Sequence, residues 1–344
     1  MRSITLLVLV GAALGPHGIN LLSIEALSFV DPAMPVALVA LGMLLGLEVS
    51  TKPRGQGRLF AAAVTEGGIT AAAVAVGILL MAPVWAAPTT VPPWLFALVL
   101  GVCAAPSAAA SLRPGAEPPQ LAERVGDLDA LLPIAAGGVA LALVRAPAPV
   151  EAFLVALQAC GVALVITLAA WLLLSTSSSE RDQRVFTVAL LLLLGGAADY
   201  LSLSALLSGL IAGLFLALAG GLARDSVRRD VLHFQHPLLA LVLVVTGARV
   251  DIPLPWLGVG LVYLLLRTAA KLAGGWAARR IAGATVPPNL GMSLLSPGIL
   301  GVAFALNVLR AAGPEAAGLL TVATLGAIGS DVLAVLVRPR EESA

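Results

Sequence analysis

Charge is scarce in this chain: only 11% of its 344 residues are Asp, Glu, Lys or Arg, too few to cover the surface of a soluble domain of that length. Cysteine is rarer still. Cys103 and Cys160 both fall inside apolar runs, which excludes a disulfide framework and a cysteine-based metal site. The three histidines, His17, His233 and His236, have no ligand spacing with one another or with the cysteines. They read as hydrogen-bonding groups near helix ends, with a pH-tuning role open for His233 and His236. No nucleotide loop, nucleophile and base spacing or metal cluster is present, so the sequence implies no enzyme, no cofactor and no nucleic-acid partner. Long polar stretches are missing as well; those around 175–184 and 223–230 read as loops, and no separate soluble domain is expected.

What is abundant is apolar sequence, with 59% hydrophobic residues and a mean hydropathy of +1.01. Apolar blocks fall at 4–14, 33–47, 59–84, 94–112, 121–144, 153–175, 185–198, 203–219, 237–248, 256–278, 290–309 and 316–337. Most are long enough to cross a hydrocarbon core of about 30 Å at 1.5 Å per residue; the short ones must extend into their flanks. They predict an all-α polytopic membrane protein with about twelve transmembrane helices. The start of the chain has the outline of a secretory signal, but losing it would leave an odd number of spans, so it is read as the first span.

Orientation follows from the basic residues. Arg2, Lys52, Arg54, Arg58, Arg113, Arg124, Arg181, Arg184, Arg224, Arg228, Arg229, Arg279, Arg280, Arg338 and Arg340 fall on the side of both termini, and Arg145, Arg249 and Arg310 on the other. Both termini are therefore expected in the cytoplasm, with the protein in a plasma (bacterial inner) membrane.

The remaining two basic residues, Arg267 and Lys271, sit one turn apart inside the span 256–278. At that depth each costs roughly 2.5–3.5 kcal/mol unless a partner or water receives it. Spans 4 and 11 are also unusual, each broken by proline beside small polar residues: Ala105-Pro106-Ser107 and Ser296-Pro297-Gly298. Proline frees backbone groups, tolerated at membrane depth only where they line a cavity or meet partners. The two spans lie seven places apart in the order, so they run in opposite directions. An inverted repeat pairing spans 3–5 with 10–12 has that property.

Acidic residues in or beside spans are Glu48, Glu66, Asp127, Asp129, Asp199 and Asp331. Asp127 is eight residues past Pro119 and Lys271 eight before Arg279, which puts both about 12 Å from the cytoplasmic end. They are expected to meet. Asp129, about 200° further round the helix, cannot share Asp127's face and is assigned a structural role. Glu66 is a support of the core or a partner of Arg267, Asp331 a hydrogen-bonding partner, and Asp199 an external residue. Competition between a cation and the ammonium for a carboxylate is a physical basis for proton exchange.

Several segments together resemble a family: Leu14-Gly15-Pro16 through Leu22, Leu41-Gly42 through Glu48, Asp199-Tyr200 through Gly213, Phe234-Gln235 through Ile252, Arg267-Thr268 through Gly274, and Leu290-Gly291 through Gly298. In order and spacing they resemble the monovalent cation/proton antiporters of the second (bacterial) branch. The resemblance implies an inverted-repeat sodium/proton antiporter-like fold with crossed broken helices 4 and 11. It implies a core bundle of about 59–144 and 256–337, panel helices at about 4–48 and 185–248 forming a homodimer face, and a linking helix at 153–175. Asp127 and Lys271 fall on the family's ion-binding aspartate and basic positions, with Arg267, Glu66, Ser107, Ser296 and Asp331 supporting or alternative. The chain departs in having Gly126-Asp127 where the family has Asn-Asp or Asp-Asp, and Ser296-Pro297-Gly298-Ile299 without the usual arginine and glutamate.

The expected function is exchange of protons for Na+, K+ or Li+ across a lipid bilayer by elevator-like alternating access, the cation held only transiently. An organic-anion carrier on the same architecture would instead have basic residues facing its cavity. A non-transporting sensor or scaffold is the third reading.

Overall fold

The computed structural model describes residues 3–50, 57–84, 91–110, 119–145, 148–177, 179–283 and 287–337, and these contain no strand. Arg2, Lys52, Arg54, Arg113, Arg338 and Arg340, which the orientation argument uses, lie outside the described residues, as does the end of the span expected to reach residue 112.

In chain order the helices are α1 (Ser3–Leu14), α2 (Ile24–Val30), α3 (Ala33–Ser50), α4 (Gly57–Met81), α5 (Pro93–Ala104), α6 (Gln120–Leu128), α7 (Leu131–Arg145) and α8 (Pro149–Thr176). They continue as α9 (Glu180–Tyr200), α10 (Ala205–Ala219), α11 (Gly221–Arg249), α12 (Leu254–Ala282), α13 (Leu290–Ser293), α14 (Ile299–Ala312) and α15 (Ala317–Leu336). Among the described residues six segments are long and apolar enough to cross a bilayer: Gly57–Met81, Gln120–Leu143, Val150–Thr176, Gly221–Arg249, Leu254–Ala282 and Pro314–Leu336. Four shorter apolar helices accompany them, and α2 with α3 forms a further pair bent by 51°.

Three elements differ from expectation. Most of the stretch 175–184 is helical, since α8 runs to Thr176 and α9 begins at Glu180. The stretch 223–230 is helical, because α11 runs unbroken through it and through Pro237 to Arg249. Its charges mark where the helix leaves apolar surroundings, and they leave its backbone ladder intact. His233 and His236 consequently lie within a helix, away from its ends, and are exposed. α2 was not foreseen; Ser23 caps it by accepting from the Ala26 amide at 3.2 Å.

Packing follows small residues. α3 and α10 cross through Gly42 and Gly46 on one and Gly209 and Gly213 on the other; a Cβ on Gly42 would lie 2.1 Å from the Leu206 carbonyl oxygen. Paired small-xxx-small motifs let two backbones touch, where lipid supplies no hydrophobic drive between helices. α4 lies against α5 and α12, α12 against α15, and α1 against α11.

Candidate ion site at the interrupted helices

The two proline-marked breaks meet each other. Beyond α5 and before α14 the chain is extended, and Ser107 and Pro297 form an isolated antiparallel bridge. The Gly298 amide donates to the Pro106 carbonyl (3.0 Å), Ala108 to Ser296 (3.0 Å) and Ala110 to Ser293 (2.8 Å). Each break thus satisfies backbone groups that the other frees, as membrane depth requires. Gly298 permits the approach: a Cβ there would sit 2.9 Å from the Pro106 carbonyl carbon.

Arg267, only 2% exposed, serves carbonyls at both interruptions. Its Nε donates to Ala104 (3.0 Å), Nη1 to Leu295 (2.8 Å) and Nη2 to Pro106 (3.3 Å). A planar fork suits this work, holding carbonyl oxygens from both interruptions on one positive group. The alternative partner considered for it, Glu66, is instead paired with Lys271.

Lys271, one turn along α12, has no solvent exposure, nor do Glu66 and Asp129. Its Nζ lies 3.0 Å from Glu66, 3.2 Å from Asp129 Oδ2 and 2.6 Å from Ser107 Oγ, and donates to the Ala105 carbonyl as well. The Ser107 hydroxyl donates a hydrogen bond to Asp129 Oδ2, and its amide donates to Oδ1 at 3.3 Å. Thr70, one turn along α4, donates to Glu66 Oε1 at 3.2 Å. Two carboxylates against an ammonium and a guanidinium give a formally neutral cluster, the condition under which buried charges persist.

The expected meeting of Asp127 with Lys271 does not occur; Lys271 is held by Asp129 and Glu66. Asp127 is exposed and lines a cavity of about 240 Å³ together with Glu48, Pro106, Ser107, Gln235 and Gly298. Asp129 closes α6, its amide donating to Val125 at 2.9 Å, and a turn at Asp129 and Ala130 precedes α7. The sequence carries a signal for this in Pro133, which cannot donate back to the Asp129 carbonyl and so loosens the helix there. Gly67 of α4 closes on that carbonyl, where a Cβ would come within 2.4 Å.

Asp331 lies apart from this cluster. It accepts from Thr5 of α1 (2.7 Å) and from Ser296 beside the α13–α14 break (3.4 Å). Asp199, in the last turn of α9, is ion-paired with Arg310 at 2.7 Å.

Membrane-length apolar helices, two mutually bridged interruptions and a buried, charge-balanced cluster beside them define an integral membrane protein. No family model and no curated protein sequence matches the chain. Among solved structures, the sodium proton antiporter MjNhaP1 from Methanocaldococcus jannaschii matches over 97% of this chain and 92% of its own, with a TM-score of 0.64 and 17% identity. At that identity the likeness is one of fold: this chain is folded like that antiporter.

Proposed function

We propose that the protein exchanges protons for a monovalent cation, Na+, K+ or Li+, with Asp129 as the carboxylate the cation occupies and Lys271 as its competitor. The observation that carries this reading is the Lys271 ammonium on Asp129, one hydroxyl (Ser107) away from a cavity whose lining, among the described residues, includes Glu48 and Asp127 and no basic residue. An organic-anion carrier calls for the opposite lining.

A cation arriving through the cavity competes with the ammonium for Asp129. Loss of one Lys271 proton to cavity water then leaves the site's net charge unchanged, so one cation enters as one proton leaves. Glu66 keeps the lysine in place through the exchange, and Asp127 and Glu48 concentrate cations at the mouth. Arg267 holds the two interruptions together, so that the site travels as a unit.

On this reading the chain has twelve spans. α6 with α7 and α13 with α14 each count as one, and the breaks after α5 and before α14 are crossed midplane elements. The helices α4–α7 and α12–α15 form the moving core, and α1, α3 and α9–α11 the panel, with a homodimer face inherited from the family resemblance. α8 links them. The cavity opens at the end of α3 that precedes Lys52, Arg54 and Arg58, the cytoplasmic side by the distribution of basic residues.

The reading is tested with purified protein in proteoliposomes under an imposed pH gradient. Adding Na+, K+ or Li+ should release protons. Silence toward all three, in protein that elutes as a single folded species, contradicts it.

A further inference from the structure

The cavity beside Ser107 is open at one end of the molecule, and three helices lead from it to a cluster of ion pairs at the other. α3 has Glu48 at the cavity and starts just after Asp31; α11 has Gln235 at the cavity and ends at Arg249; α14 begins at the cavity with Ile299 and carries Arg310 in its last turn. At 1.5 Å per residue these separations are about 25, 21 and 16 Å. All three agree that cavity and ion pairs lie on opposite faces.

Arg310 joins Asp199 at 2.7 Å and Asp31 at 3.4 Å, and Arg249 also binds Asp31. One turn below Arg310, buried Asn307 donates from Nδ2 to Ser204 Oγ at 3.0 Å and accepts from the Ala205 amide at 3.2 Å, capping the start of α10. Between the two tiers only about 30 Å³ of free space remains, lined by Leu38, Leu203, Asn307 and Arg310. α14 is thus fastened by polar contacts to Asp31 between α2 and α3, to α9 and to the start of α10, while its opposite end borders open space.

We propose that Arg310 with Asp31 and Asp199, over Asn307 with the α10 cap, is a latch that closes the face away from the cavity and must part when the protein opens there. It rests on the alternating-access reading. Ion pairs half open to water suit a latch: they hold a closed state by a small free energy and exchange readily for hydration.

The test measures access, which does not require cation or proton coupling. In the full chain with Cys103→Ala and Cys160→Ala, a membrane-impermeant thiol reagent is applied from either side to Leu38→Cys, beneath the latch, or Gln235→Cys, in the cavity. Arg310→Gln should speed labelling of Leu38→Cys from the far side about fivefold and slow labelling of Gln235→Cys from the cavity side. The exchanged pair Arg310→Asp with Asp199→Arg should return both rates toward the parent, which separates a latch from simple misfolding. Unchanged labelling in Arg310→Gln, or faster labelling from both sides at once, overturns the latch. A protein that labels as expected yet moves no protons leaves the latch standing and removes the exchange reading.

Discussion

Lys271→Met removes the one ammonium that Glu66 and Asp129 share, at a site where all three side chains have no solvent exposure. Breaking a buried pair by deleting one partner costs about 3–5 kcal/mol, because the other charge is left without compensation. Here two carboxylates are left, and the positive group that remains in the cluster, Arg267, is committed to three carbonyls. Glu66→Gln, by contrast, leaves Lys271 on Asp129 and Ser107 and should cost about 1–3 kcal/mol. Combining the two should cost less than their sum, with a coupling of about 0.5–3 kcal/mol, since the glutamine no longer needs the ammonium. The assay is thermal unfolding in detergent at one scan rate, compared as a ranking because membrane proteins unfold irreversibly. Glu66→Gln as damaging as Lys271→Met, with strict additivity, would refute a shared ammonium.

Other parts of the structure give independent expectations. Arg267→Gln strands the Ala104 and Leu295 carbonyls, while Pro106 keeps the Gly298 amide, and should lower stability by about 1–3 kcal/mol for each group left unsatisfied, read as a drop in the same unfolding scan. Gly213→Leu drives a side chain into the Met43 carbonyl, 2.2 Å from the Cβ position, and should abolish recovery of folded protein, whereas Gly196→Leu, with nothing within 4 Å, should be tolerated. Asn307→Ala takes the acceptor from the Ala205 amide while Ser204 still caps α10, and should cost about 1 kcal/mol in thermal stability, with Asn307→Asp retaining the Ala205 contact.

The interruptions were legible because proline is a chemical statement: Pro106 and Pro297 each lack an amide, and the freed groups must go somewhere. That they go to one another depends on two segments roughly 190 residues apart in sequence, which spacing alone does not reveal. Lys271 and Arg267 stood out as charges in an apolar run, and the division of labour between them comes from reach, the guanidinium spreading over three carbonyls and the ammonium converging on carboxylates. Asp127 and Asp129 lie on opposite faces of one helical segment, and the buried place beside Lys271 goes to the face that depth along the chain does not identify. The polar start of α11 was read as a loop because charge obscures helical sequence, and α2 is too short to show a period. No periodicity argument reaches the Arg310 contacts, which are tertiary.

Proton release from proteoliposomes by Asp129→Asn and Asp127→Asn, side by side with the parent chain, tests the central claim most directly. Cation-driven proton release should disappear in Asp129→Asn and persist, with a weaker apparent cation affinity, in Asp127→Asn. Full activity in a folded Asp129→Asn protein, or loss confined to Asp127→Asn, would contradict it.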